Sequence, residues 1–92
     1  MKIKKEIIFD YTNKANKFFI KHLEVRDIFE RNIIDYLKNN KNNIDIKKLK
    51  GNDFYYRMRI GKYRIIYMVI NQEIVIVKVI SASSRGDIYK KI

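Results

Sequence analysis

The residues best suited to chemistry in this chain are three closely spaced arginines, Arg57, Arg59 and Arg64. A guanidinium group is permanently charged and planar, and it can hold two oxygens of a phosphate at once. Gly61 and Lys62 can form a two-residue hairpin loop, with Gly61 supplying the positive φ of a type II′ turn. In that register Arg59 lies opposite Arg64, and Arg57 shares their face because side chains alternate along a strand. Like charges placed opposite each other destabilise a hairpin, so this face is expected either to receive an anionic ligand or to be a solvated basic surface.

Other kinds of reactive site find little support in the sequence. The chain has no cysteine, which excludes a disulfide scaffold, a thiolate metal site and a cysteine nucleophile. No glycine-rich phosphate loop, metal-ligand cluster or Ser-His-Asp set is visible. The single histidine, His22, falls on the apolar side of a predicted helix, and we interpret it as structural. An enzyme built on this sequence must therefore work with arginine, lysine and tyrosine.

The stretch from Phe54 to Ile80 must position the arginines, and its pattern predicts three antiparallel strands. β-branched and aromatic residues fill the runs, and two-residue loops are expected at Gly61-Lys62 and at Asn71-Gln72. The face opposite the arginines is expected to be apolar and aromatic, with the side chains of Tyr56, Met58, Tyr63, Ile65 and Tyr67.

The first half of the chain predicts one strand followed by two helices. The strand is expected over Ile3 to Phe9 and the first helix over Thr12 to His22, with Thr12 or Asn13 as its N-cap. A second amphipathic helix is expected from Val25 to Leu37. The predicted fold class is therefore α+β: an N-terminal strand, a two-helix hairpin and a three-stranded antiparallel sheet, with the helices packed on one sheet face.

Length and charge narrow the range of functions. The 92 residues are expected to form one domain, 1–92, with room for a single modest core. The net charge is +11, and residues 47–92 hold 11 Lys and Arg against 3 Asp and Glu, whereas residues 1–46 hold 10 against 7. This imbalance predicts a polyanionic partner: RNA, DNA or an acidic protein. No apolar run is long enough for a transmembrane helix or a signal peptide, so a cytoplasmic location without a membrane partner is expected.

A lysine-rich segment precedes the predicted hairpins. Its sequence is DIKKLKG, from Asp45 to Gly51. Leu49 is expected to pack into the hydrophobic core, with lysines on either side of it in the sequence. Its last four residues, KLKG, together with YRMRIGKYRIIY over 56–67 and VISASSRGDIY over 79–89, resemble the RelE/ParE toxin superfamily of bacterial toxin–antitoxin pairs. The features that carry the resemblance are Gly-x-Tyr-Arg-x-x-Tyr after a basic strand and an arginine followed four residues later by a tyrosine. The resemblance implies a RelE-like fold.

Two functions occur in that superfamily: RelE-like members cut mRNA in the ribosomal decoding site, and ParE-like members poison DNA gyrase. In RelE-like members the catalytic positions match Arg57, Arg59, Arg64, Arg85 and Tyr89 of this chain. Arg64 and Arg85 are expected at the scissile phosphate, and Arg85 is also implied to serve the leaving group. Tyr89 is expected to stack on a base or to orient the 2′-hydroxyl, which favours the ribonuclease. Contacts with the ribosomal RNA backbone are expected from Lys47, Lys48 and Lys50.

The chain departs from the RelE-like pattern at two places. Relatives commonly have lysines where this chain has Arg57 and Arg59, and one such lysine is a proposed general base. Many relatives also have a histidine where this chain has Ser84. An arginine is a poor proton acceptor because its pKa lies above about 12. The general base is then either Tyr89, with its pKa lowered by the arginines, or absent.

The leading hypothesis is a toxin of the RelE type, a metal-independent and ribosome-dependent mRNA endoribonuclease without a cofactor. Its inhibitor is expected to be a cognate antitoxin whose acidic or amphipathic segment wraps the basic sheet or displaces a C-terminal element. One alternative is a ParE-like inhibitor of DNA gyrase. Another is a catalytically inactive relative that only binds its antitoxin.

Overall fold

The computed structural model describes residues 5–39, 43–51 and 54–84. The helices and strands follow in the order β1 Ile7–Tyr11, α1 Asn13–Ile20, α2 Leu23–Asn39, β2 Ile46–Lys48, β3 Tyr56–Ile60, β4 Tyr63–Asn71 and β5 Val75–Ser83. The strands form one mixed sheet in the order β1-β5-β4-β3-β2, in which only β1 and β5 run parallel. The α+β class is confirmed, whereas the predicted sheet lacked β2 and the parallel pairing of β1.

Both helices cover the same face of this sheet. Ala15 and Phe19 of α1 and Phe29 of α2 are fully buried, and they pack in one cluster with core residues of β3, β4 and β5. Removal of this apolar surface from water is the main driving force for the layered arrangement. Within the described ranges, no helix combines the length and the apolar character needed to cross a bilayer.

The first helix begins directly after one of its two predicted N-cap residues. Thr12 is the N-cap: its backbone is extended, with φ −64° and ψ 163°, and its Oγ1 accepts a hydrogen bond from the Ala15 N–H at 3.1 Å. This bond satisfies one of the amide groups that the first turn of a helix leaves without a partner. Of the two candidate caps, Thr12 is therefore the one used, and Asn13 is the first helical residue.

The first hairpin has the predicted register. Ile60 pairs with Tyr63 and Arg59 pairs with Arg64, so Gly61 and Lys62 form the two-residue loop. Gly61 has a φ of 57°, a conformation that costs glycine little because it has no Cβ. The apolar face is also confirmed, since Met58, Ile65 and Tyr67 are buried under the helices.

The second hairpin differs from its prediction. Asn71 pairs with Val75 as the last residue of β4, which leaves a three-residue loop over 72–74 in place of the expected Asn71-Gln72 loop. The Gln72 N–H donates to the Ile74 carbonyl at 3.0 Å across this loop. A two-residue loop favours positive φ at its centre, and no glycine is present here to supply it.

The first strand also lies further along the chain than predicted, at Ile7–Tyr11 rather than Ile3 to Phe9. Asp10 is exposed on the open side of the sheet, so a carboxylate at this position does not end the strand. Tyr11 faces the helices and packs edge to face on Phe19, with 5.5 Å between ring centroids. Ile3 lies outside the described residues.

A bulge in β5 changes which residues face the helices. Ile66 pairs with Ser81 but Tyr67 pairs with Val79, so Ile80 has no cross-strand partner on β4. Thr12 holds this bulge, because its N–H donates to the Val79 carbonyl at 3.0 Å and its hydroxyl donates to the Ile80 carbonyl at 2.6 Å. A bulge shifts the alternation of side chains by one residue. Ser81 therefore faces away from the helices.

The lysine-rich segment forms the edge strand β2. Ile46 pairs with Met58 of β3, and both Ile44 and Ile46 pack against the core. Leu49 was expected to fill that position, but it is only partly buried and lies beyond the end of β2, where its N–H donates to the Tyr55 carbonyl at 2.9 Å. Ile44 and Ile46 fill this part of the core instead of Leu49, because their side chains lie on the same face of the sheet as the core residues of β3.

Candidate functional site

The face of the sheet opposite the helices carries the arginines in two rows that cross the strands. The first row consists of Lys47, Arg57, Ile66 and Ser81. The second row consists of Arg59, Arg64 and Ser83. Directly paired residues on neighbouring strands share a face, so these side chains form one surface, which we call the arginine face. The bulge at Ile80 is what brings the two serines onto it.

Asp45 joins this surface just before β2 and binds two of its arginines. Asp45 Oδ1 accepts a hydrogen bond from Arg57 Nη1 at 2.9 Å, and Asp45 Oδ2 accepts one from Arg59 Nε at 2.7 Å. Partial desolvation pushes the pKa of Asp45 upward, but the hydrogen bonds and charges of Arg57 and then Arg59 outweigh it and hold that pKa below its ordinary value. The carboxylate is therefore ionised at neutral pH.

The two arginines bound to Asp45 differ in exposure. The side chain of Arg57 is 10% exposed, whereas that of Arg59 is 50% exposed. A buried guanidinium needs a compensating charge, and Asp45 supplies it to Arg57. Asp45 holds Arg59 through Nε only, and half of the Arg59 side chain is exposed, so this arginine lies within reach of a ligand that arrives from solvent.

Arg64 lies directly across from Arg59, as predicted, and it is partly buried. In the described ranges, no carboxylate forms an ion pair with Arg64. The Arg59–Arg64 pair is thus a concentration of positive charge that Asp45 only partly neutralises. Such a pair can stabilise an anion with two or more oxygens.

The three predicted RNA-binding lysines are all exposed but do not lie on one face. Lys47 pairs with Arg57 and belongs to the arginine face. Lys48 pairs with Tyr56 and therefore belongs to the face of the sheet that the helices cover. Lys50 lies in the turn after β2. The remaining predicted site residues, Arg85 and Tyr89, lie outside the described residues.

The described tyrosines with perturbed acidity are poor candidates for a general base. Burial raises the pKa of Tyr67 well above its ordinary value, and nearby Tyr36 and Tyr56 raise it further. Burial also raises the pKa of Tyr11, and the hydrogen bond that this phenol donates to Glu30 acts in the same direction. Both phenols therefore stay protonated at neutral pH.

His22 lies away from the arginine face. Its ring stacks on Phe18 with 4.3 Å between centroids and lies 5.2 Å from the ring of Tyr63, on the helix side of the sheet. This packing agrees with the structural interpretation. Among residues 5–39, 43–51 and 54–84, no three histidine, aspartate or glutamate side chains form a group that could hold a metal ion.

Two features of the arginine face were not predicted from the sequence. Asp45 is the single acid in the segment DIKKLKG, and an isolated carboxylate among lysines beside a basic hairpin is the signal that points to an ion pair. Ser81 follows Val75, Val77 and Val79 at alternate positions, so it continues an inward-facing series with a polar residue. That break in the apolar alternation is the signal for a bulge.

The chain matches a family of known toxins. Residues 8–86 match the sequence profile of the family described as ParE toxin of type II toxin-antitoxin system, parDE. A protein of Methanocaldococcus jannaschii that is assigned as toxin RelE1 is 46% identical over 55 residues. That alignment covers 55% of this chain and 61% of the relative, so it spans less than two thirds of the relative's length.

Two solved structures resemble the fold described above. A chain of the RelB-RelE antitoxin-toxin complex from Methanococcus jannaschii matches with a TM-score of 0.59 and 28% identity, over 90% of this chain and 98% of that chain. A chain of the archaeal RelE-RelB complex from Pyrococcus horikoshii OT3 matches with a TM-score of 0.55 and 24% identity, over 91% and 98%. At the identity of the second match, the likeness shows the fold alone.

Proposed function

Because the chain belongs to the ParE toxin family of type II toxin–antitoxin systems, we propose that it is a RelE-like toxin that cleaves mRNA on the ribosome. The observation that carries this proposal is the pairing of Arg59 with Arg64 on the sheet face opposite the helices. Among the described residues Asp45 forms an ion pair with Arg59 but not with Arg64, so the repulsion between these like charges is offset only in part. A phosphate can offset the remainder, because guanidinium groups match its geometry. The 46% identity over 55 residues to a protein assigned as toxin RelE1 supports a RelE-like toxin.

In the proposed reaction the RNA supplies its own nucleophile. The 2′-hydroxyl loses its proton, and its oxygen bonds to the adjacent phosphorus. The bond from phosphorus to the 5′-oxygen breaks, and that oxygen takes up a proton. The products are a 2′,3′-cyclic phosphate and a 5′-hydroxyl. Negative charge grows on the phosphate oxygens in the transition state, so fixed positive charge at Arg64 and Arg59 lowers the barrier. No metal or cofactor takes part in this scheme.

The remaining roles are assigned to Arg85 and Tyr89. We propose that Arg85 contacts the scissile phosphate and the leaving 5′-oxygen, and that Tyr89 stacks on a base or orients the 2′-hydroxyl. Without a strong base on the protein, the rate depends on correct placement of the RNA. A ribosome that holds the message in one geometry can supply much of that placement. This requirement supports a toxin that acts on translated mRNA rather than on free RNA.

We propose that the physiological inhibitor is a cognate antitoxin. The positive charge of residues 47–92 favours a partner with an acidic segment, because complementary charge speeds association and selects the partner. The two structures with a similar fold were solved as complexes of RelE with RelB. That context supports a protein partner of the same kind for this chain.

Inhibition of DNA gyrase is the second candidate function. The observation that favours it is the match of residues 8–86 to a family described by its ParE toxin. In that case the arginine face binds a protein surface and performs no chemistry, so loss of one guanidinium would weaken binding without affecting any RNA.

The two candidates are separated by induction of the protein in bacteria with primer extension on one mRNA and on the same mRNA without its start codon. The ribonuclease predicts cuts in the translated message only. Replacement Arg64→Ala is expected to reduce cutting by about 100-fold, the usual effect of losing one transition-state contact. Lys78→Ala is the matched control, because Lys78 lies exposed on the same side of the sheet, opposite Met68 and Asp10, and its loss removes the same charge.

Each other outcome of this experiment has a defined meaning. Cuts in both messages would show a ribonuclease that does not need the ribosome. Growth arrest with a DNA damage response and no cuts would assign the chain to gyrase. An Arg64→Ala protein that cuts as well as the Lys78→Ala protein would contradict the proposed role of the arginine pair.

A further inference from the structure

The carboxylate of Asp45 occupies a position that suits a ligand of the arginine face. It accepts one hydrogen bond from Arg57 at 2.9 Å and one from Arg59 at 2.7 Å. A carboxylate and a phosphate present oxygen atoms to guanidinium groups in the same way. We propose that Asp45 is an internal competitor of RNA phosphate, which must give up Arg59 before that arginine can bind nucleic acid. This inference rests on the proposed function in taking RNA as the ligand.

The competitor is tethered so that it cannot leave the site. The Asp45 carbonyl accepts a hydrogen bond from the Arg59 N–H at 3.0 Å, and the next residue, Ile46, is paired with Met58 and packs against the core. The effective concentration of the carboxylate beside Arg59 is therefore high, as for any group held by a short connection. A phosphate from solution has to overcome this local competition.

Competition is expected at Arg59 rather than at Arg57. Arg57 is buried, and its charge depends on Asp45 for compensation. The side chain of Arg59 is half exposed, so water can solvate its guanidinium group when the ion pair with Asp45 breaks. Asp45 can thus keep its bond to Arg57 while Arg59 turns toward a phosphate. The ionised state of the Asp45 carboxylate, which both arginines favour, maintains the competition at neutral pH.

Space for an approaching phosphate lies beside the pair. Asp45 and Arg59 line an open depression of about 310 Å³. Its other lining residues are Asn32, Asn43, Ile44 and Ile60. The asparagine amides are hydrogen-bond donors, so a phosphate that displaces Asp45 from Arg59 would enter a polar environment. The ion pair is consequently accessible to a ligand and is not sealed inside the protein.

The experiment measures binding of a short, fluorescently labelled single-stranded RNA by anisotropy over a series of salt concentrations. Asp45→Asn is expected to bind roughly tenfold more tightly than the wild type, the effect of one added charge-assisted contact. Its plot of log affinity against log salt is expected to be steeper by about 0.7, the contribution of one more phosphate on a single strand. Asp10→Asn removes an exposed carboxylate from the same side of the sheet and is expected to change affinity by less than about twofold.

A second variant separates competition from net charge and from misfolding. Asp45→Asn leaves Arg57 buried without its partner, which weakens the fold. The double replacement Asp45→Asn with Arg57→Met removes both members of the part-buried ion pair, keeps the net charge of the wild type and releases Arg59. It is expected to bind RNA about fivefold more tightly than the wild type. A gain in affinity at unchanged net charge cannot arise from the total charge of the protein, and this variant leaves no buried arginine at position 57 without a partner.

The outcomes distinguish this inference from the proposed function. Equal gains for Asp45→Asn and Asp10→Asn, no gain in the double variant, or no RNA binding by any variant would each overturn the role of Asp45. If the mRNA experiment above shows no cleavage but Asp45→Asn binds RNA more tightly, the ribonuclease assignment fails and the competition stands. If the wild type cleaves mRNA and the affinities do not change, the function stands and the competition fails.

Discussion

Arg57, Arg59 and Arg64 lie within eight positions of one another, yet their environments give them different capacities. Arg57 is buried and forms an ion pair with Asp45, so its role in the arginine face is structural. Arg59 is shared between Asp45 and solvent, and Arg64 has no acidic partner among the residues that the structure describes. A guanidinium that is not paired costs the least to transfer to a phosphate. Of the three, Arg64 is therefore the strongest candidate for direct contact with the reacting group.

The ion pair at Asp45 makes a prediction about stability in acid. The pKa of Asp45 is lower in the folded chain than its ordinary value of 3.8. A depressed pKa means that the stabilisation is present above the unfolded value and is lost as the pH falls through the folded one. The difference in free energy of unfolding between the wild type and Asp45→Asn is thus expected to be largest near neutral pH and to shrink below about pH 4.

Urea unfolding at several pH values measures this difference. Asp35→Asn is a suitable control, since the Asp35 carboxylate accepts a hydrogen bond from Asn39 on the exposed surface of α2 and forms no ion pair within the described part of the chain. A stability difference between wild type and Asp45→Asn that is independent of pH would show that the charge of Asp45 does not support Arg57.

At the scale of elements, the start of α1 and the bulge of β5 form one unit. Thr12 caps the helix through its hydroxyl oxygen and donates two hydrogen bonds to the carbonyls of Val79 and Ile80. The bulge in turn places Ser81 and Ser83 beside the arginines on the other side of the sheet. Thr12 thus connects the start of α1 to the bulge that determines which residues of β5 lie on the arginine face.

Replacement Thr12→Ala is expected to lower the free energy of unfolding by about 2 kcal/mol, because it removes both the N-cap and the hydrogen bond to the bulge. Thr12→Ser keeps both and is expected to cost less than about 0.5 kcal/mol. Asn13→Ala, one residue further along and exposed, is expected to change stability by less than about 0.5 kcal/mol. Denaturant titration of the three variants checks this, and equal losses for Thr12→Ala and Asn13→Ala would contradict the capping role.

Local patterns in the sequence were sufficient for the helices and for the first hairpin. The threonine cap, the two helices and the glycine loop each depend on residues within a few positions of one another, and each was predicted. The helix bounds differ in detail, because α1 ends at Ile20 rather than His22 and α2 covers Leu23–Asn39 rather than Val25 to Leu37. The parallel pairing of β1 with β5 and the addition of β2 join segments that are distant in sequence. No periodicity encodes such pairings, since every exposed strand edge offers the same backbone groups. The bulge likewise involves a residue distant in sequence, since Thr12 binds the carbonyls of Val79 and Ile80.

At the scale of the whole molecule, the family inferred from three short motifs is confirmed by the match over residues 8–86. The pairing of Arg59 with Arg64 was likewise predicted, because a short hairpin determines its own register. The ion pairs of Asp45 were not predicted, because they form only when β2 lies beside β3, and the sequence did not indicate that pairing. The part of the site that arises within one hairpin could be predicted, and the part that arises between elements could not.

The sheet divides the molecule into a helical side and the arginine face, and this division predicts that RNA binding depends on where a charge lies rather than on the net charge. Lys47 lies on the arginine face beside Arg57, whereas Lys17 is exposed on α1, on the other side of the sheet. Lys47→Ala is expected to weaken binding of single-stranded RNA about threefold and to reduce the salt slope by up to about 0.7. Lys17→Ala removes the same charge and is expected to leave both quantities nearly unchanged, because salt screens charges beyond about 10 Å. Anisotropy titrations of the two variants at several salt concentrations measure the contrast. Equal losses of affinity would mean that RNA senses only the total charge and that the arginine face is not its binding surface.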